Sequence, residues 1–330
     1  MDDNKKIMHY METGSTDPAY NLAFEQFVFE NCFSGSYVIL WQNDNTIVVG
    51  RNQNTLQEIN RQFVEEKGIH VVRRMTGGGT VYHDLGNLNY SYISDYDENV
   101  SMEAFNAPVC SALGKLGLIA RSSGRNDITV DEKKVSGVAQ RIYKNRILHH
   151  GCILFNADTT VLAGALNADP EKFTSKSVKS VSSRVANISD LLETKIGMDE
   201  FKDRIRKELI GAGAVNFSLS EAELDAVEKL AENKYRSWEW NYGHSPEYTF
   251  HHKKRFPAGS LEVFLNIKNG YITDAVFFGD FMAQMDHKAA SDALKGVKFQ
   301  KEDVQKALDI PDLDKMFGGI TAENIADVIS

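Results

Sequence analysis

The chain has 330 residues, with 37 Lys and Arg against 46 Asp and Glu, a formal net charge of −9. Hydrophobic residues are 42% and charged residues 25%, the mix of a globular chain that buries a core, which excludes disorder as its main state. The negative field repels polyanions, so neither nucleic acid nor an anionic membrane is expected as partner, and any phosphate compound must be met by a local basic cluster.

At roughly 100–200 residues per domain the length predicts two domains. Asp17-Pro18 starts a helix, with Asp as N-cap and Pro at the first helical position. Leu22, Ala23, Phe27 and Val28 follow at helical spacing. Residues 36–41 (SYVILW) and 46–49 (TIVV) are β-rich, and Asn43-Asp44-Asn45 between them predicts a hairpin. A helix is expected over 56–67 and strands over 69–73, 80–83 and 88–93. Residues 102–116 form a helix closed by Gly117. Residues 127–130, 134–143 and 146–155 predict a run of antiparallel strands, with Asp131-Glu132 and Lys144-Asn145 as turns.

Helices are expected over 159–166, 187–193, 198–210 and 220–234. Strands 260–267 and 271–278 then flank an Asn269-Gly270 turn, a strong hairpin signal. Helices over 286–294, 300–308 and 321–328 finish the chain. The pattern changes near 237–248, where aromatic, Gly and Pro residues mix. The linker around Gly243 and Pro246 predicts a small domain that moves relative to the large one.

Cys32, Cys110 and Cys152 form no CxxC pair and fit a reducing compartment. The start, MDDNKKIMHY, lacks the apolar run of a secretory leader, and no stretch of about 20 apolar residues exists. A cytoplasmic protein is expected.

Three segments carry chemistry. In Arg73-Arg74-Met75-Thr76-Gly77-Gly78-Gly79-Thr80 the glycines let backbone approach a ligand, and the arginines suggest an anion. A bulged hairpin with two surface arginines reads equally well. The spacing is neither a P-loop nor a dinucleotide fingerprint. In the second segment, Asn126 and Asp127 suit a ribose, a base or Mg²⁺. Lys133 and Lys134 follow on a strand, where alternation lets at most one face a site. The third is His149-His150-Gly151-Cys152. It lacks a third metal ligand, so zinc is rejected, and Cys152 reads as a small buried thiol more readily than as a nucleophile.

Taken in order, NLAFEQ (21–26), LWQNDNTIVVGRNQN (40–54), RRMTGGGTVYHDLGN (73–87), GRNDITV (124–130), KVSGVAQR (134–141), HHGCILFNAD (149–158), SVKSVSSRVANI (177–188) and WEWNYGHSPEYTF (238–250) resemble the lipoate–protein ligase A family. The resemblance covers nearly the whole chain. It implies an α+β fold shared with biotin–protein ligases: a large domain with a mixed, mainly antiparallel sheet flanked by helices, plus a small C-terminal α+β domain. It implies a catalytic domain over 1–245 and an accessory domain over 246–330.

The implied reaction uses ATP and Mg²⁺ to convert lipoate or octanoate to the acyl-adenylate. The acyl group then passes to a lysine on lipoyl-domain acceptors, the E2 subunits of 2-oxoacid dehydrogenase complexes or the glycine cleavage H protein. The resemblance makes Lys134 the catalytic residue, places Arg74 on the phosphates, and lets Gly77, Gly78 and Gly79 approach the ligand. Thr76 stands where Ser is common, and Asn87 belongs to the same motif. Asn126 and Asp127 fall at the nucleotide and metal, with Asp127 as Mg²⁺ ligand. Glu25, Trp41, His83, Ala139 and His150 fall near a narrow lipoyl pocket. A monomer is expected. Cys152 stands where Thr is usual, which leaves a second reading, an ATP-independent octanoyl or lipoyl transferase with a cysteine acyl-enzyme.

Overall fold

The computed structural model describes residues 7–123, 126–166, 185–243 and 249–329. Gly124, Arg125, residues 177–184 and the 244–248 stretch with Pro246, all parts of the motifs above, lie outside the described residues. Contacts divide the chain into two units. Met1–Val48, Ile59–Val72 and Val81–Ser237 form the first; Val49–Glu58, Arg73–Thr80 and Trp238–Ser330 form the second.

In the first unit the described strands are β1 (Met8–Glu12), β2 (Ser36–Trp41), β6 (Asn87–Asp95), β7 (Ala120–Ser123), β8 (Asp127–Val130), β9 (Lys133–Tyr143), β10 (Arg146–Leu154) and β11 (Val215–Asn216). They make one sheet in the order β11-β1-β2-β6-β10-β9-β8-β7. β1 runs parallel to β2 and β11, while the β2-to-β7 part is antiparallel. The β8–β9–β10 run forms as the turn residues predict. Asp131 and Glu132 take φ of 49° and 63°, the left-handed pair that a two-residue hairpin turn needs.

The predicted hairpin between 36–41 and 46–49 does not form. β2 lies between β1 and β6, whereas β3 (Thr46–Val49) lies between β4 (His70–Arg73) and β5 (Val81–His83) in a separate three-stranded sheet. The reason is visible at Asn43, which is buried rather than at a turn tip and bonds the side chains of Asn21 and His83. The predicted helix over 56–67 is two short ones, Thr55–Glu58 and Arg61–Glu66, because Asn60 caps the second.

The large sheet has two different faces, since successive strand residues point to opposite sides. Val38, Leu40, Leu88, Tyr90, Val138 and Ile153 face a core shared with Val109 and Leu113 of α4 (Met102–Lys115) and with Phe201, Ile205 and Leu209 of helix Met198–Ile210. The opposite face holds Trp41, Asn89, Cys152, Gly137 and Asp127 in one register row across five strands. Ile39, Ser91, His150 and Ala139 form the next row. Helix α1 (Pro18–Asn31), capped by the Asp17 carboxylate on Ala19 N–H, reaches this second face through Glu25. A later helix, Glu221–Leu230, has a Ser220/Glu223 capping box and continues as a π-helical turn, Ala231–Tyr235. That turn brings Lys234 Nζ and Tyr235 Oη to Gln26 Oε1, each at 2.7 Å.

In the second unit β12 (Phe250–Phe256), β13 (Gly259–Lys268) and β14 (Tyr271–Gly279) form an antiparallel sheet. Its core joins Leu261, Val263, Phe277 and Phe281 to Phe317 and Ile325 on the following helices. Asn269 and Gly270 make the predicted tight turn at φ 53° and 79°. Among the described residues no helix is long and apolar enough to cross a membrane.

Candidate active site

The motif in α1 is fixed by polar contacts inside the first unit. Asn21 Nδ2 donates to Ser15 O, Gln42 O and Asn43 Oδ1, and Asn43 Nδ2 lies 3.3 Å from His83 Nδ1. One asparagine therefore ties the helix to the segment that carries Trp41, and through Asn43 to His83. Trp41 and His83 meet edge to face at 6.4 Å.

One turn further along α1, Glu25 is buried and its Oε1 accepts from Ser91 Oγ at 2.5 Å. His150 Nδ1 lies 2.8 Å from the same oxygen, and Trp41 Nε1 donates to Ser91 Oγ at 3.0 Å. Trp41, Ser91, Glu25 and His150 thus form one hydrogen-bonded chain on the non-core face. Ser91 links the indole to the carboxylate, a role the sequence reading missed. Its signal was the alternation of polar Asn87, Asn89 and Ser91 with apolar Leu88 and Tyr90. Ala139 sits opposite His150 in register, small and buried.

In the neighbouring row, Lys134 Nζ contacts Asp127 Oδ1 at 2.7 Å, an ion pair off hydrogen-bond alignment, with both side chains about one-third exposed. A β-carbon on Gly137 would stand 3.0 Å from that Nζ and 3.1 Å from Lys134 Cε. The glycine three residues after the lysine therefore seats the ammonium on the strand. Asn126 is half-buried beside Asp127, and its carbonyl accepts from Val138 N. Asn87 is buried and donates to Asp84 Oδ1, which also takes Gly86 N–H. Gly86 is required because a β-carbon there would lie 2.0 Å from Asn156 O. Among the described residues no group of three or more His, Cys, Asp or Glu side chains converges as a metal cage.

Arg74, Thr76, Gly77, Gly78 and Gly79 belong to the second unit. The two arginines divide their tasks. Arg73 is 1% exposed and donates to the carbonyls of Gly50, Arg51, Gln53, Trp240 and Asn241 and to Thr55 Oγ1. Burial, with Arg51 and Arg74 nearby, lowers its pKa to about 10. It is a structural clamp and not a ligand group, which resolves the paired reading of the two.

Arg74 Nε donates to Thr76 Oγ1, and its Nη2 to Gly77 O and Gly79 O, so the glycine loop curls around the guanidinium. Gly78 takes φ 90° and donates its N–H to Phe281 O, while a β-carbon on Gly77 would meet Ala283 N at 2.6 Å. The loop can do this only because its residues lack side chains.

The family model for the lipoyl protein ligase A/B catalytic domain matches residues 17–210, and that for the bacterial lipoate protein ligase C-terminus matches 245–329. The lipoate-protein ligase LplJ of Bacillus subtilis is 39% identical over 95% of this chain and 97% of its own length. Lipoate–protein ligase 1 of Staphylococcus aureus is 40% identical over 96% and 97%. The crystal structure of P. falciparum LipL1 in complex with lipoate aligns with TM-score 0.77 and 27% identity, covering 91% of this chain and 94% of that one. A lipoate-protein ligase A bound with ATP aligns with TM-score 0.62 and 27% identity, over 72% and 98%.

Proposed function

The chain belongs to the lipoate–protein ligase family, and from that premise we propose that it is an ATP-dependent lipoate–protein ligase. The observation that carries this reading is the seat of Lys134: an ammonium lodged over Gly137, paired with Asp127, on the sheet face that also holds the Trp41–Ser91–Glu25–His150 chain. The reaction needs no enzyme nucleophile. A lipoate carboxylate oxygen attacks the α-phosphorus of ATP, the bond to the bridging oxygen breaks, and pyrophosphate leaves. The ε-amine of an acceptor lysine then attacks the acyl carbon, the bond to AMP breaks, and the amine gives up a proton. What remains is positioning and charge stabilisation. Lys134 supplies a cation between carboxylate and α-phosphate. Arg74 would exchange loop carbonyls for phosphate oxygens, with Thr76 and the Gly77, Gly78 and Gly79 backbone around it. Trp41, His83, Glu25, Ala139 and His150 would shape the acyl pocket, and Asn87 and Asn126 would support the nucleotide.

Mg²⁺ fits Asp127, since that ion takes one or two carboxylates and completes its shell with phosphate and water; once bound with ATP it would neutralise phosphate charge. The acceptors on this reading are lipoyl domains, of E2 subunits or the glycine cleavage H protein. The T. acidophilum bipartite ligase, described together with its E2 lipoyl domain, aligns with TM-score 0.65 and 29% identity over 74% of this chain and 99% of that one. The functional division runs at about residue 245, and the protein acts as a cytoplasmic monomer.

Lipoate-dependent ATP–pyrophosphate exchange with Mg²⁺ tests the proposal; a folded sample that exchanges with neither lipoate nor octanoate sinks it. The cysteine-transferase reading is disfavoured by the matching C-terminal region and by relatives named as ligases. Cys152→Ser separates the two, with modest loss for the ligase and abolition for the transferase.

A further inference from the structure

The register row Trp41–Asn89–Cys152–Gly137–Asp127 runs from the indole of the proposed acyl pocket to the carboxylate beside Lys134. Trp41, Asp127 and, through Gly137, Lys134 have roles in the proposed reaction. Asn89 has none so far. It is 1% exposed, and its Nδ2 is buried without a hydrogen-bond partner among the described residues. An orphaned buried amide is destabilising, and a folded protein keeps one for a reason.

We infer that the Asn89 carboxamide binds the acyl oxygen of the substrate that Lys134 does not hold, an inference that rests on the ligase reading. The reach is right. Asn89 and Gly137 stand two strands apart, roughly 10 Å. A carboxyl group hydrogen-bonded through each oxygen spans about 8 Å between its two donors. Cys152, small and half-buried, is the residue between them. The oxygen on Asn89 becomes the carbonyl of the adenylate. It gains negative charge as the acceptor amine adds, so a preorganised donor strengthens toward that transition state.

The experiment uses the purified full chain and Asn89→Ala. Exchange kinetics are measured against lipoate and ATP, and binding is measured for lipoate and for the corresponding primary alcohol, which carries one neutral hydroxyl in place of the carboxylate. Asn89→Ala is expected to lower kcat/KM for lipoate in exchange about tenfold, as loss of one hydrogen bond to a charged group does, leave KM for ATP within twofold, and reduce the preference for lipoate over the alcohol about tenfold. Acyl transfer to an acceptor lysine, where the oxyanion forms, should fall about 10²-fold. Asn89→Asp keeps the shape and guards against misfolding by the smaller side chain. Its activity should be lowest at pH 8 and rise as pH falls, because the carboxylate repels substrate and the protonated acid donates.

An active wild type with an Asn89→Ala variant of unchanged kcat/KM overturns the inference. So does equal loss of lipoate and alcohol binding, which marks a packing role. A folded wild type without exchange overturns the ligase reading first.

Discussion

Asp127 Oδ1 holds the Lys134 ammonium at 2.7 Å, across the hairpin from the strand that carries the lysine. The pair is about one-third exposed, so it contributes ~1 kcal/mol or less to stability. Its value lies in aiming a cation. Lys134→Ala should therefore lower both adenylation and transfer by at least 10²-fold while the melting temperature moves by no more than a few degrees. Exchange and transfer assays beside a thermal melt check both; a variant that keeps normal turnover removes Lys134 from the chemistry.

Gly137 is expected to matter through the same contact. An added β-carbon would stand 3.0 Å from Lys134 Nζ, closer than such contacts normally run, and the flexible end of the lysine must yield. Gly137→Ala should leave stability within ~1 kcal/mol, since alanine is tolerated in a strand. Misplacing the ammonium by up to 1 Å should lower kcat by roughly 10- to 100-fold. Steady-state kinetics at saturating lipoate and ATP read this directly, and undiminished kcat would show that the seat is not restrictive.

Local chemistry made some of these features legible in the sequence. The α1 start follows from Asp17-Pro18, and the β8–β9–β10 run from turn residues that accept positive φ. The failed 36–49 hairpin is a case where Asn-Asp-Asn announces a change of direction but not which sheet receives the next strand. β12 was missed because FHHKKRF carries no apolar period; it is a charged edge strand with mostly exposed side chains. In the site, the Lys134–Ser136–Gly137 pattern pointed to the lysine, but the reason for the glycine needed the folded strand. Arg73 and Arg74 look alike in sequence. They differ because Trp240 and Asn241, 167 and 168 residues away, offer their carbonyls to Arg73, whereas Arg74 bonds the glycine loop.

Arg73 is accordingly predicted to be a stability residue. Arg73→Leu would strip the donor of a fully buried guanidinium from the carbonyls of Arg51 and Gln53 and leave Gly50, Thr55 and Asn241 each with one hydrogen bond fewer. Each buried group left unsatisfied costs about 1–3 kcal/mol, so a loss of at least ~3 kcal/mol is expected, with unfolding at lower urea. Arg73→Lys should recover little, because an ammonium cannot reach six acceptors spread around a planar fork. A urea midpoint for Arg73→Leu equal to that of wild type would rule out the clamp.

Acid sensitivity should centre on His149. Its ring is buried on the core side of the sheet, stacked on Phe105 with centroids 5.1 Å apart, and Gln140 Nε2 lies 3.2 Å from its Nδ1. Burial, and secondarily the neighbouring His150, push its pKa down to about 3 from 6.5. A histidine depressed in the folded state keeps its stability contribution above the unfolded pKa. Below pH 6.5 the unfolded chain takes a proton that the folded chain refuses until about pH 3. Stability should fall by up to ~1.4 kcal/mol per pH unit from this residue, or about 2 kcal/mol between pH 6.5 and 5.0. His149→Leu removes that group, so its urea-derived stability should drop less than wild type between pH 7.5 and 5.0, by about 2 kcal/mol. Parallel drops in the two proteins would mean that carboxylates or other histidines carry the acid response and that His149 is protonated in the fold at no cost.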